Sequence, residues 1–241
     1  MRIIITRHGD PDYSTDRLTE RGKLEAAALA ERMKDVRADY CYVSPMGRAQ
    51  ETASYSLEKM GMEAKTLEWL HEFIHPCKRP HDTDTGAIPW DWKPADWTVR
   101  EEMYDRDRWA EGRELSEGNI KYYGDQVAAE LDGLLKKHGY ERDGQIYRAV
   151  RSNHDVIVLF CHFGIEAVIL GHLLGISPMV LWQNTCSMTT GYTEVVTEER
   201  DEGIASFRML TFGDVSHLAK AGLEPSFAAR FCECYEDDTR H

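Results

Sequence analysis

Two short apolar runs, each ending in a histidine closely followed by glycine, constrain this chain more than any other feature. Ile3-Ile4-Ile5 is β-branched and stops at Arg7-His8-Gly9, and Val156-Ile157-Val158-Leu159-Phe160 stops at His162-Phe163-Gly164. An unbroken apolar run this short reads as a strand covered on both faces, which is how central strands of a parallel sheet look. Helical spacing surrounds both runs. Leu24, Ala28, Leu29 and Met33 recur at such spacing after Thr19, a plausible N-cap; Ala49, Ala53, Leu57 and Met60 form a second stripe closed by Gly61. Cys41-Tyr42-Val43 is a short strand between them. Ile120, Tyr123, Val127, Leu131, Leu134 and His138 mark a helix before the second run, and Ile165, Val168, Ile169 and Leu173 mark one after it. Two late segments, Tyr192 to Val196 and Ser206 to Leu210, alternate as strands do.

Strands alternating with helices predict a three-layer α/β/α sandwich with a mainly parallel sheet. The expectation is one domain over 1–241, interrupted at about 73–119 by a helical or irregular insertion lying over the functional site. That stretch has no sustained period and holds four of the eight prolines and four of the six tryptophans.

Charge narrows the partners. Lys and Arg total 29 against 42 Asp and Glu, a net charge of −13, so the average surface repels nucleic acid and anionic membranes. No run approaches about 18 apolar residues, and Arg7-His8 interrupts the first apolar stretch too early for a secretory segment. The expectation is a cytoplasmic protein with no membrane and no nucleic-acid partner. Cys41, Cys77, Cys161, Cys186, Cys232 and Cys234 lack paired spacing and read as reduced thiols, with a tail metal site at Cys232-x-Cys234 the less favoured alternative. The acidic runs Glu198-Glu199-Arg200-Asp201-Glu202 and Glu236-Asp237-Asp238 read as solvated faces.

In an open α/β sheet, ligands bind beyond the carboxyl ends of the strands. His8 and His162 both stand there. Arg7 supplies a planar fork suited to phosphoryl oxygens, imidazole can attack phosphorus, and the amides of Phe163 and Gly164 open a helix. The bland reading of Arg7-His8 is a solvent-exposed turn. Three motifs in order, however, resemble the histidine phosphatase superfamily, also called phosphoglycerate mutase-like: Arg7-His8-Gly9, then Ser44-Pro45-x-x-Arg48-Ala49-x-x-Thr52, then His162-x-Gly164. Leu18-Thr19-x-x-Gly22 is similar too. The resemblance covers residues 1 to 72 and about 120 to 212.

It implies that His8 is a nucleophile that becomes phosphohistidine. It also implies that Arg7, Arg48 and His162 surround the phosphoryl group, with Phe163 contributing to the phosphate site. In this family a carboxylate soon after the third strand often serves as acid and base. Leu70-His71-Glu72 fits, which assigns that role to Glu72 with a pKa above the usual value; Asp10, Asp12 and Glu101 are reserves. The implied enzyme is a histidine acid-type phosphatase acting on a small phosphorylated metabolite. A mutase would continue differently after the first motif, where this chain has Asp10-Pro11-Asp12-Tyr13-Ser14, and whether Ser14 or Thr15 binds phosphate stays open. Mutase-type transfer and a non-catalytic binding protein on the same fold are the alternatives.

His71-Glu72-Phe73-Ile74-His75 also matches the His-Glu-x-x-His signature of zinc proteases, with Glu101 or Glu102 as a third ligand. Pro76 biases His75 away from helix, so the two histidines are not expected on one helical face, and neither metal nor organic cofactor is expected. In the insertion, Trp90, Trp92, Trp97 and Trp109 with Lys78, Arg79, Lys93 and Arg100 either cover the pocket or form a small core or a homodimer contact. Asp82, Asp84, Asp91, Asp96, Glu101 and Glu102 in the same stretch oppose a polyanion.

Overall fold

The computed structural model of the protein describes residues 1–80, 87–228 and 230–232. Its first elements are β1 (Arg2–Arg7), the small hairpin β2 (Pro11–Asp12) and β3 (Arg17–Leu18), α1 (Glu20–Met33), β4 (Tyr40–Val43), α2 (Gly47–Met60) and β5 (Lys65–Thr66). Short helices α3 (Pro94–Trp97) and α4 (Arg113–Glu117) lead into the long α5 (Ile120–Lys137). Then come β6 (Tyr140–Asp143), β7 (Ile146–Ala149), β8 (Val156–Cys161), α6 (Phe163–Leu174), α7 (Pro178–Asn184), β9 (Tyr192–Asp201), β10 (Ile204–Asp214) and α8 (Ser216–Lys220).

The eight-stranded sheet runs β5-β4-β8-β1-β9-β10-β7-β6. Its first four strands are parallel, and β9, β10, β7 and β6 extend it antiparallel. Alternation along β1 assigns the two faces. Ile4, with Val158 and Phe160, packs on Leu29 and Met33 of α1 and Ala49 and Ala53 of α2. Ile3 and Ile5, with Ile157 and Leu159, face α5, α6 and α7. Each such fully buried aliphatic side chain contributes roughly 1.5–3 kcal/mol of transfer free energy.

Thr19 caps α1 as expected, accepting from the Gly22 amide, and Gly61 ends α2 in the left-handed region at φ +63°. The α1 stripe needs correction at one position. Leu24 is 58% exposed, and its neighbour Glu25 is fully buried, because the Glu25 carboxylate accepts from the amides of Asp10 and Ser226. The hairpin β6–β7, turning at Gly144 (φ +59°), was not anticipated, and neither were α7 and α8. Asp143-Gly144 was the available turn signal.

Residues 87–119 are largely irregular, yet all four tryptophans there are buried in the larger core cluster. Trp109 packs edge-on against Trp182 of α7, and a Cβ at Gly124 would stand 2.9 Å from it. The nearby cations pair with local acids: Arg79 with Asp91, Arg100 with Glu114, and Lys78 with Glu117. Asp82 and Asp84 lie outside the described residues, as do Cys234 and Glu236-Asp237-Asp238; the five described cysteines are unpaired. No helix among the described residues is long and apolar enough to cross a membrane.

Candidate active site

Strand register alone puts the two histidines side by side. Arg7 pairs with Cys161 across β1 and β8, so His8 and His162 each follow a matched position. The His8 amide donates to the Cys161 carbonyl (3.0 Å), and the imidazole centroids lie 5.0 Å apart. On the other side of β8, Val43 pairs with Phe160, which sets Ser44 beside His162; the Ser44 hydroxyl meets His162 Nε2 at 2.7 Å. The loop after His8 must pass very close to α1. A Cβ at Gly9 would stand 2.7 Å from the Gly22 carbonyl oxygen, and one at Gly22 would stand 2.2 Å from that of Asp10. Glycine is therefore required at both positions for steric reasons.

Hydrogen bonds assign the imidazole roles. His8 Nδ1 lies 2.7 Å from the Gly9 carbonyl oxygen and so carries the proton, which leaves the Nε2 lone pair facing Arg48 Nε at 3.2 Å. Burial, with the Arg7 and Arg48 charges, pushes the His8 pKa well below its usual value and keeps the ring neutral. Ser44 Oγ accepts from the Met46 amide, and His162 Nε2 is the one acceptor in reach of its own proton among the described residues, so the arrangement that satisfies the hydroxyl directs that proton to Nε2. Nδ1 of His162 is then an N–H donor, buried and without a partner among the described residues. Burial, then the neighbouring His8, Arg48 and Arg7, push the His162 pKa well down.

Arg48 is fixed from behind by Asp16, which also accepts from the Gly47 amide (2.6 Å). Thr52, one turn along α2, accepts from the Gly9 amide and donates to the Arg48 carbonyl. Arg7 sends Nη1 to the Ser187 carbonyl (2.6 Å) and Nη2 to that of Ala228 (2.7 Å). Thr190, whose amide donates to the His8 carbonyl, sits at φ +56°. That conformation costs a β-branched residue on the order of 1–3 kcal/mol, a strain concentrated beside the histidine.

Glu72 enters this centre although no regular helix carries it. Its Oε1 accepts from the amides of Phe73 (2.8 Å) and Ile165 (3.2 Å), and a Cβ at Gly164 would stand 2.7 Å from it and from Trp90 Nε1. Burial raises its pKa, while Arg7 and Arg48 pull it down. The five side chains Arg7, His8, Arg48, Glu72 and His162 thus converge, none more than 6% exposed, and the solvent-exposed turn is replaced by a buried centre. Phe163 begins α6 beside them, and its ring meets Trp90 edge-on.

The other candidates fall elsewhere. Asp10 accepts from Thr19 (2.6 Å) and is bonded to Ser226, Asp12 is half-buried and holds Ser14 and Thr15, and Glu101 is exposed in the single turn Glu101–Tyr104. Ser14 and Thr15 are themselves exposed, while their neighbours Tyr13 and Asp16 both reach Arg48. His71 and His75 lie 5.7 Å apart on irregular backbone, His75 stacked on Tyr123, so the His-Glu-x-x-His match does not form the helical pair a zinc protease uses. Among the described residues no three metal-ligating side chains cluster. The sequence reading missed Asp16, Ser187 and Thr190, named Trp90 only as one of four tryptophans that would cover the pocket or pack among themselves, and quoted Ser44 and Thr52 without giving them roles; only these last two carried a motif-level signal.

Residues 3–117 match the profile of the histidine phosphatase superfamily (branch 1). A curated relative, the 2,3-bisphosphoglycerate-dependent phosphoglycerate mutase of Bartonella tribocorum, is 34% identical over 24% of this chain. That match spans about a third (34%) of the relative's length. The phosphoserine phosphatase of Entamoeba histolytica, solved with phosphoserine, superposes with a TM-score of 0.60 at 19% identity, covering 90% of this chain and 98% of that one. Phosphoglycerate mutase from Bacillus anthracis gives 0.60 at 17% identity, covering 92% and 96%. At these identities the structural likeness establishes the fold.

Proposed function

Taking as premise that the chain carries the signature and the fold of the histidine phosphatase superfamily, we propose that it is a cytoplasmic phosphatase that hydrolyses a small phosphomonoester through phosphohistidine on His8. The observation that carries this reading is the buried, neutral His8, its proton held on Nδ1 by Gly9 and its Nε2 lone pair facing Arg48.

In the first step Nε2 attacks phosphorus as the ester oxygen departs. Arg48, Arg7 and the unpaired Nδ1–H of His162 would take the phosphoryl oxygens, with Arg7 exchanging the Ala228 carbonyl for one of them. Glu72, whose pKa burial raises, gives its proton to the leaving oxygen. In the second step the Glu72 carboxylate takes a proton from water, which attacks the phosphohistidine and frees His8. Hydrolysis is favoured over transfer to a second metabolite because the chain continues after the first motif as Asp10-Pro11-Asp12-Tyr13-Ser14, where a mutase would continue differently. Partial matching to curated mutases makes transfer the second reading.

The test is turnover of an aryl phosphate with and without vanadate and EDTA, followed by acid and alkali treatment of enzyme quenched in turnover. Vanadate inhibition, indifference to EDTA and an acid-labile, alkali-stable phosphoryl adduct are expected. Loss of activity in EDTA alone would overturn the mechanism, and phosphoryl transfer to 3-phosphoglycerate in preference to water would select the mutase reading.

A further inference from the structure

Thr190 and His217 are buried beside the nucleophile, and the chemistry above gives neither a role. Thr190 is β-branched and fully buried, yet it holds φ +56°, where glycine would sit without strain. Strain of that kind persists only where neighbours hold it. Here the holder is His217 of α8, 6% exposed, whose Nε2 lies 3.0 Å from Thr190 Oγ1. The Thr190 hydroxyl gives its proton to the Thr189 carbonyl (2.7 Å), so Nε2 carries the ring proton and donates, the arrangement in which both bonds form. α8 is itself tied to α1, because Arg32 reaches Asp214 (2.5 Å) and Ser216 Oγ (3.2 Å) just before His217.

The turn at Thr190 holds the main chain of the nucleophile. Its amide donates to the His8 carbonyl (3.1 Å) and the Arg7 amide donates to the Gly191 carbonyl (3.1 Å), so the loop continues the β1–β9 ladder past its last pair, Thr6 with Tyr192. The peptide between His8 and Gly9 is thereby gripped at both ends, by Thr190 on its carbonyl and by Thr52 Oγ1 on its amide (3.0 Å). Because His8 Nδ1 bonds the Gly9 carbonyl, a turn of this backbone turns the ring. We propose that His217 is a positioning residue: acting through Thr190, it fixes the backbone that aims His8 Nε2 at phosphorus. The assignment rests on His8 being the nucleophile of the reaction proposed above. Burial and the Arg32 charge outweigh Asp214 and push the His217 pKa down to about 4, so the ring is neutral near pH 7 and holds a single proton.

Glutamine can present an N–H where Nε2 stands and leucine cannot, so His217→Gln and His217→Leu separate the bond from the filling of space. For His217→Leu, kcat/KM on an aryl phosphate is expected to fall about tenfold while the inhibition constant of inorganic phosphate stays within about twofold, since a misaimed nucleophile slows attack without loosening the arginines. His217→Gln should recover most of that loss. In a Thr190→Gly background, where the left-handed conformation needs no support, His217→Leu should cost less than about twofold more. Equal losses in kcat/KM and phosphate affinity, no recovery by glutamine, or an undiminished cost in the Thr190→Gly background would each overturn the proposal. Should His217→Leu fail to fold, Thr190→Val, which keeps the bulk and removes the hydroxyl, takes its place with the same expected fall. The imidazole nitrogen NMR signals of His8 need no turnover: His217→Leu or Thr190→Val should shift them and His217→Gln should not. That pattern in a protein inactive on every phosphoester would sink the phosphatase reading alone, and unshifted signals in an active enzyme would sink this one alone.

Discussion

At the carboxyl ends of β1, β4 and β8, charged and polar side chains are buried and each is held by a main-chain group or a specific neighbour. Along β6, β7, β9 and β10 the same residue types form ion pairs in water. Arg208 and Arg200 share Glu198 at 2.8 and 2.6 Å, and Arg148 meets Glu141, the arginine side chains largely exposed and the glutamates partly so. Exposed pairs gain little, because water screens the attraction and ordering two long side chains costs entropy. Buried groups cannot be screened, so a few contacts decide their protonation. Chemistry has accordingly collected in one half of a continuous sheet.

The sharpest break is His8→Ala, which removes the nucleophile: turnover of an aryl phosphate is expected to fall at least about a thousandfold while circular dichroism still reports a folded chain. Next comes Glu72→Gln, expected to cost about 10² to 10⁴ in kcat on an alkyl phosphate. The loss should be much smaller on an activated aryl ester, whose leaving group needs no proton, and equal losses on both would remove Glu72 as acid. Glu166 gives a stability effect with a definite sign. Its pKa is raised on folding from 4.5 to about 7, so its contribution is complete below pH 4.5 and is lost as pH rises through 7. Denaturant titrations should show the stability of wild type relative to Glu166→Gln falling by about 3 kcal/mol between pH 4 and 8.

Ser44→Ala leaves His162 Nε2 without its hydroxyl partner and is expected to cost about 1–3 kcal/mol in chemical denaturation. It should also reduce activity, because the His162 tautomer is no longer imposed. The smallest effect belongs to the other half of the sheet. Glu198→Gln removes the shared partner of Arg200 and Arg208 and should leave both melting temperature and turnover within experimental error. A loss there as large as that of Ser44→Ala would erase the contrast between the two halves.

Local periodicity made most of the fold legible: the β-branched run of β1, the five apolar residues of β8, the stripes of α2 and α5, and the Thr19 and Gly61 caps. It failed where long-range partners decide. Leu24 faces water because Glu25 is needed inside to hold the amides of Asp10 and Ser226, which lie 15 and 201 residues away. The β6–β7 hairpin is charged and borders the exposed edge, so it shows no apolar pattern. In the site, Arg7, His8 and His162 were readable from their places at strand ends, and Arg48 through the motif that carries the family resemblance. Glu72 was readable only through family resemblance, since the backbone that carries it has no period.

By itself, then, the sequence determined the sandwich and the placement of Arg7 and two histidines at strand ends, because those depend on nearest-neighbour spacing and on glycine's missing Cβ. Only the tertiary structure decided which nitrogen of each imidazole holds the proton and that Thr190 is strained against His8. Those outcomes depend on desolvation and on contacts between residues tens to hundreds of positions apart, which spacing along the chain does not encode.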